Sequence, residues 1–279
     1  MLNLDVSRRI VYRVDGMLTA NVQRGITYKR DVHQQLLMDV YRPEGTTTSS
    51  RWPAILFIPG GPVSLGTLPP REWGVCQSYG ELAAASECVG VVLNYRLDEL
   101  TNYEQAQADL TAAITHVRDQ ADELNIDADR LALWAFSGGG PLLTESLRQR
   151  PSYIRCLLAF YAVLDLRLFI GPSADQSRKE RAAHFSPAAH LDGACVPMFV
   201  AQACLDTAAV NASIDSFVRA ASCADLPMEV MCLASGHHAF DVVDDEEWSR
   251  QTIRQAVAFA RTYLTPVNVT RSDGLTLLS

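Results

Sequence analysis

A serine among small residues at the end of an apolar run is the first place in this sequence where chemistry could be done. Residues 135–139 read Ala-Phe-Ser-Gly-Gly, where the apolar stretch Arg130–Phe136 gives way to a helical pattern over Gly139–Arg148. A serine on a sharp strand-to-helix turn has its hydroxyl lifted above the sheet, and the turn is tight enough to demand tiny residues two places before and after it. Ala135 and Gly139 meet that demand, with Ala135 standing where the G-x-S-x-G pattern has glycine. The following helix N-terminus favours developing negative charge. The plainer reading is a glycine-rich turn with Ser137 as an N-cap. A phosphate-binding loop is disfavoured, because no G-x-x-x-x-G-K follows.

A serine nucleophile needs a base and a group to orient that base. Of the six histidines, His33, His116, His184 and His190 lie before the final strands or in helical context. His237 and His238 directly follow the expected strand Pro227–Leu233, in Ser-Gly-His-His-Ala-Phe. Loops after the C-terminal ends of parallel strands gather on one rim, which would bring that pair to Ser137. The acid should leave the strand between them. Asp206, after Pro197–Ala203, does so, and Asp165 is a weaker rival. Asp241, Asp244 and Asp245 read as N-capping residues for a helix from Glu246. An oxyanion would need two backbone amides. Gly138 follows the nucleophile, and Pro59-Gly60-Gly61-Pro62 follows the strand Pro53–Ile58, so Gly60 and Gly61 are the other candidates because Pro62 has no N–H.

These positions need a scaffold. Strand patterns at Pro53–Ile58, Val89–Tyr95, Arg130–Phe136, Ile154–Leu164, Pro197–Ala203 and Pro227–Leu233 alternate with helical patterns at Gly74–Ser86, Tyr103–Asn125, Gly139–Arg148, Ala208–Ser222 and Glu246–Tyr263. Such alternation predicts an α/β fold with a mostly parallel sheet and helices on both faces. Arg9–Val14, Ile26–Arg30 and Leu36–Tyr41 read as antiparallel strands at one edge. No linker divides residues 1–279, so a single domain is expected. The polar excursion Leu166–Leu191, roughly residues 166–191, is a lid or cap.

Composition narrows the function. The 279 residues carry a net charge of -8, which argues against nucleic acid as a partner. No apolar run reaches the ~20 residues of a membrane span, and the N-terminus has no signal-like apolar core. Seven scattered cysteines without a C-x-x-C read as reduced, buried thiols of a cytoplasmic protein. Oligomeric state is left open, a homodimer included.

Taken in order, the Pro-Gly-Gly loop, the Ser137 turn, the Leu-Asp-Thr segment at Asp206 and Gly-His-His-Ala-Phe-Asp resemble the α/β-hydrolase fold superfamily, in its esterase/lipase, dienelactone-hydrolase-like branch. Two departures stand out: Pro59 where many esterases have His, and Ala135 in the turn. The resemblance implies an eight-stranded, mostly parallel sheet and a Ser-His-Asp hydrolase. Aligning the aromatic Phe240 makes His238, not His237, the base beside Ser137 and Asp206. Gly60 or Gly61 with Gly138 then forms the oxyanion hole. The implied reaction is hydrolysis of a small or medium carboxylic ester, a small-molecule substrate, with no metal or organic cofactor. The same triad on a thioester, lactone or amide, or a non-catalytic binding protein of this fold, is the alternative.

Overall fold

Eight strands form one sheet in the computed structural model, which describes residues 5–31, 34–63, 68–97, 103–191 and 196–265. In chain order they are β1 (Asn21–Arg30), β2 (Gln35–Arg42), β3 (Trp52–Ile58), β4 (Val89–Leu93), β5 (Ile126–Phe136), β6 (Ile154–Phe160), β7 (Met198–Ala203) and β8 (Met228–Leu233). Their spatial order is β1-β2-β4-β3-β5-β6-β7-β8. β1 and β2 pair antiparallel, β2 also runs antiparallel to β4, and every other pairing is parallel. The inner parallel strands β3 and β4, and β5 from Leu131 onward, are apolar and almost wholly buried because helices cover both of their faces.

Period-two alternation divides each strand between two cores. Ala54, Leu56 and Ile58 of β3 and Leu131, Leu133 and Ala135 of β5 face one cluster, with Leu110 and Phe217 from the helices above it. Those helices are α2 (Tyr103–Asp119) and α6 (Ala208–Cys223). Ile55, Phe57, Ala132, Trp134 and Phe136 face the other cluster, which Tyr79 and Phe259 complete. Tyr79 belongs to α1 (Gly74–Ala85) and Phe259 to α8 (Glu247–Leu264), which follows the one-turn α7 (Phe240–Val243).

Three expected elements are corrected. Arg9–Val14 forms no strand. It is spent on α1 and the far loop: Ile10 N–H donates to Ser78 Oγ at 3.1 Å, and Val11 N–H to the Asp241 carbonyl at 2.8 Å. The helix expected over Tyr103–Asn125 stops at Asp119. A short α3 (Ala121–Leu124) follows, ended by Asn125 in the left-handed region at φ 60°. The segment Gly139–Arg148 is divided: Ser137–Leu143 winds as a 3-10 turn containing Pro141, and only Thr144–Gln149 is α-helical, α4. Residues 166–191 hold 3-10 turns at Leu166–Phe169 and Pro187–Ala189 around α5 (Gln176–His184).

The cysteines also depart from expectation. Cys76, Cys88 and Cys156 are buried, but Cys204, Cys223 and Cys232 are exposed, and all six are free. Cys195 and His33 lie outside the described residues. Among the described residues, no helix is long and apolar enough to cross a membrane.

β4 is packed against α1 backbone to backbone. A Cβ on Gly90 would lie 2.6 Å from the Gly80 carbonyl oxygen and 2.7 Å from the Gly80 Cα. Gly80 is held in turn by the Tyr41 ring. Gly90→Ala is therefore expected to destabilise the fold by roughly 1–3 kcal/mol through overpacking. Urea unfolding of the two proteins checks this, and equal stability would show that α1 moves away freely.

Candidate active site

The parallel strands end on one rim, and four of them deliver the candidate residues there. β5 ends at Phe136, so Ser137 begins the turn beyond it, with φ at 49°. A left-handed backbone at a residue bearing a side chain costs about 1–3 kcal/mol and persists only when its surroundings enforce it. Those surroundings are identifiable. A Cβ on Gly60 would lie 2.8 Å from Ser137 Cβ, and one on Gly139 would lie 2.7 Å from the Ile58 carbonyl oxygen. The Ser137 carbonyl accepts Val163 N–H at 2.9 Å, and the Gly138 carbonyl accepts Tyr103 Oη–H at 2.9 Å.

β7 and β8 bring up the other two side chains. Their outgoing loops are tied together, since Cys204 N–H donates to the Leu233 carbonyl and Leu205 N–H to the Gly236 carbonyl, at 3.0 and 2.9 Å. His238 Nδ1–H donates to Asp206 Oδ2 at 2.5 Å, and Ser137 Oγ–H donates to His238 Nε2 at 2.9 Å. The other oxygen of Asp206, Oδ1, accepts Thr207 N–H at 2.6 Å. The Asp206 side chain is 2% exposed and the imidazole 23%, so the carboxylate is shielded while the ring still meets solvent. The structure thus brings Ser137, His238 and Asp206 into one hydrogen-bonded chain.

The remaining candidates fall elsewhere. His237 turns outward and pairs with Asp244, ring Nδ1 to Oδ1 at 2.9 Å. Asp165 faces Arg167 and Ser216, each at 2.7 Å. Burial pushes its carboxyl up, but those hydrogen bonds hold it below its ordinary value. The capping role expected for Asp241, Asp244 and Asp245 is not what forms: α8 begins after Glu246 without a side-chain cap. Asp244 instead holds His237, and Asp245 pairs with Arg250. Asp241 is fully buried and accepts from Tyr79 Oη–H at 2.6 Å and Tyr161 Oη–H at 2.8 Å.

Gly60, Gly61 and Gly138 lie against one another at the serine. A Cβ on Gly138 would be 2.5 Å from the Gly61 oxygen and 3.2 Å from its nitrogen. The loop is braced from behind, where Tyr95 Oη–H donates to the Pro59 carbonyl and Val63 N–H to the Leu97 carbonyl.

The sequence reading missed Tyr161, whose ring centroid lies 4.8 Å from that of His238. It falls just past β6, at φ 39°, inside the run assigned wholly to a strand. Seven described non-glycine residues have positive φ. Glu87, Asn125, Arg150 and Asp225 follow helix ends, whereas Ser137, Tyr161 and Ala239 gather at the site. Tyr161's place at a strand terminus on the rim that carries Ser137 is the available signal.

Comparison with known proteins agrees with this architecture. The family model described as BD-FAE matches residues 38–146, from β2 into α4. An AB hydrolase superfamily protein of Schizosaccharomyces pombe is 25% identical over 142 residues, a match covering 50% of this chain and 38% of that protein. Esterase Est2 of Thermogutta terrifontis with propionate bound superposes with a TM-score of 0.72 at 22% identity, covering 90% of this chain and 97% of that one. Esterase 2 of Thermogutta terrifontis phosphoramylated by tabun gives 0.67 at 21% identity, covering 90% and 95%. The structural matches, at TM-scores of 0.67 and 0.72, show that the chain has the α/β-hydrolase fold.

Asp241 gives the site a measurable pH signature. Burial raises its carboxyl to about 6, against hydrogen bonds from Tyr79 and Tyr161 that pull it down. A carboxyl raised on folding contributes stability that is complete below its unfolded value and lost as pH rises through its folded value. The stability of the wild type relative to Asp241→Asn should therefore fall by about 2 kcal/mol between pH 4 and pH 7. Denaturant unfolding across that range measures it, and a pH-independent difference would contradict a buried, titrating Asp241.

Proposed function

We propose that this protein is a serine hydrolase that cleaves small or medium carboxylic esters through an acyl-enzyme. The observation that carries the reading is the unbroken Asp206–His238–Ser137 hydrogen-bonded chain, with its terminal hydroxyl beside the Gly60–Gly61 and Gly138 backbones. Ser137 Oγ attacks the ester carbonyl while His238 Nε2 takes its proton. The carbonyl oxygen becomes an oxyanion, which the amides of Gly61 or Gly60 and of Gly138 receive as hydrogen-bond donors. Collapse expels the alcohol, and His238 returns the proton to it. Water then repeats the sequence on the acyl-serine, releasing the acid and restoring Ser137. Asp206 keeps the proton of the neutral ring on Nδ1, so that Nε2 faces the serine as an acceptor, and it stabilises the imidazolium formed at each step.

Ester substrates are favoured by the related esterase that holds propionate and by its relative covalently modified by an organophosphate. Both superpose over most of this chain. A small acyl group fits the segment 166–191. Helix α5, Gln-Ser-Arg-Lys-Glu-Arg-Ala-Ala-His, is polar and largely exposed. Leu166 and Phe185 are buried in the core, leaving Leu168 and Phe169 as the exposed large apolar groups of the segment. Binding at a lipid surface scales with apolar area, and this segment offers little.

Ser137→Ala should lower kcat on p-nitrophenyl butyrate by roughly 10⁴- to 10⁶-fold. His238→Ala should do nearly as much, while His237→Ala, which removes only a solvent-facing ring, should stay within a few-fold of wild type. Activity of Ser137→Ala within tenfold of wild type would end the assignment.

Across p-nitrophenyl acetate, butyrate, octanoate and palmitate, kcat/KM should peak at or below octanoate. A maximum at palmitate would refute the small-acyl reading.

A further inference from the structure

We infer that Tyr161 and Asp241 act together as positioning residues for His238, holding its imidazole at the angle from which Nε2 meets Ser137. This rests on the hydrolase reading above and extends it to two residues that no step of that mechanism uses. The Tyr161 ring lies against the imidazole at an interplanar angle of 57°, with the centroids 4.8 Å apart. Its hydroxyl donates to Asp241 Oδ1 at 2.8 Å, and the second oxygen of that carboxylate is held by Tyr79 at 2.6 Å. Behind the ring, Phe240 meets Tyr161 edge-on at 5.5 Å. The imidazole therefore rests on a ring that a buried carboxylate and an aromatic edge keep from rotating.

Two features set this apart from ordinary core packing. Tyr161 adopts φ 39°, a conformation that a bulky residue rarely takes, and its own N–H is fixed to the Ala201 carbonyl at 2.8 Å. Asp241 is a carboxylate at 0% exposure, where an asparagine would fill the same space without burying a charge. The groups that face it are Tyr79 and Cys76 from α1, Tyr161 beyond β6, and His238, three residues earlier and just ahead of the short helix that holds Asp241. Of these, His238 alone can become a cation. The Asp241 charge thus lies where it also favours the imidazolium that each proton transfer creates.

The test compares Tyr161→Phe, which keeps the ring and removes its anchor, with Asp241→Asn, which keeps the shape and removes the charge. Active sites are titrated with a fluorophosphonate probe, so that kcat on p-nitrophenyl butyrate is expressed per site competent to react. Thermal midpoints are recorded alongside. Each variant should lose roughly 10- to 100-fold in kcat per titrated site, with KM within about threefold. The double variant should be no worse than about the weaker single, because both act through one ring. If kcat per titrated site stays within twofold of wild type in both variants, the proposal is overturned, even where the thermal midpoint falls, since the pair would then serve folding alone. A wild type that the probe does not label at Ser137 overturns the hydrolase reading and this proposal with it.

Discussion

The left-handed backbone at Ser137 is the constraint around which the rest of the site is arranged. At φ 49° the chain turns sharply enough to stand the hydroxyl above the sheet, and the segments packed on Gly60, Gly138 and Gly139 oppose its relaxation. Gly60 passes close to the Ser137 side chain, and Gly138 and Gly139 lie against the carbonyls of Gly61 and Ile58. The same crowding that enforces the turn places two amide-bearing strand-end loops against each other. Strain at Ser137 and the close approach of the Gly60–Gly61 and Gly138 backbones are therefore one packing arrangement.

That arrangement depends on where the loops sit, and each has its own tether. The loop after β3 is braced by Tyr95, the turn after β5 by Tyr103 and Val163, and the loops after β7 and β8 by each other. Asp206 uses both of its oxygens, one on the imidazole and one on the backbone of Thr207. Such a carboxylate fixes the ring's plane as well as its tautomer. A second carboxylate, Asp241, holds the hydroxyl of Tyr161, whose ring packs on the imidazole. His238 thus meets a carboxylate hydrogen bond at Nδ1 and a tilted aromatic ring 4.8 Å from its own centroid.

The parallel core and the positions of Ser137, Asp206 and the histidine pair could be read from sequence. Each follows an apolar run, and strand ends in a parallel sheet share a rim. Between His237 and His238, the choice rested on the spacing to Phe240; in the structure, His238 faces Ser137 and His237 faces Asp244. What escaped was whatever depends on tertiary partners. Arg9–Val14 alternates like a strand, yet its amides find Ser78 and Asp241, contacts 68 and 230 residues away in sequence. Asp241 sits where an N-cap would sit, and only the approach of Tyr79 from α1, 162 residues earlier, turns it inward. The helix expected from Gly139 begins late because Gly138, Gly139 and Gly140 pack on carbonyls at the end of β3, in the loop that follows it and in the loop after β6, which holds the chain in a tighter 3-10 winding.

The central claim is that Ser137 forms a covalent acyl intermediate, and rapid-quench mass spectrometry with p-nitrophenyl butyrate tests it most directly. The account predicts a burst of p-nitrophenol no larger than one equivalent, together with a mass increase of one butyryl group on the peptide that contains Ser137. It also predicts that Ser137→Ala shows neither. Turnover without any adduct, or an adduct on a different residue that persists in Ser137→Ala, would contradict it.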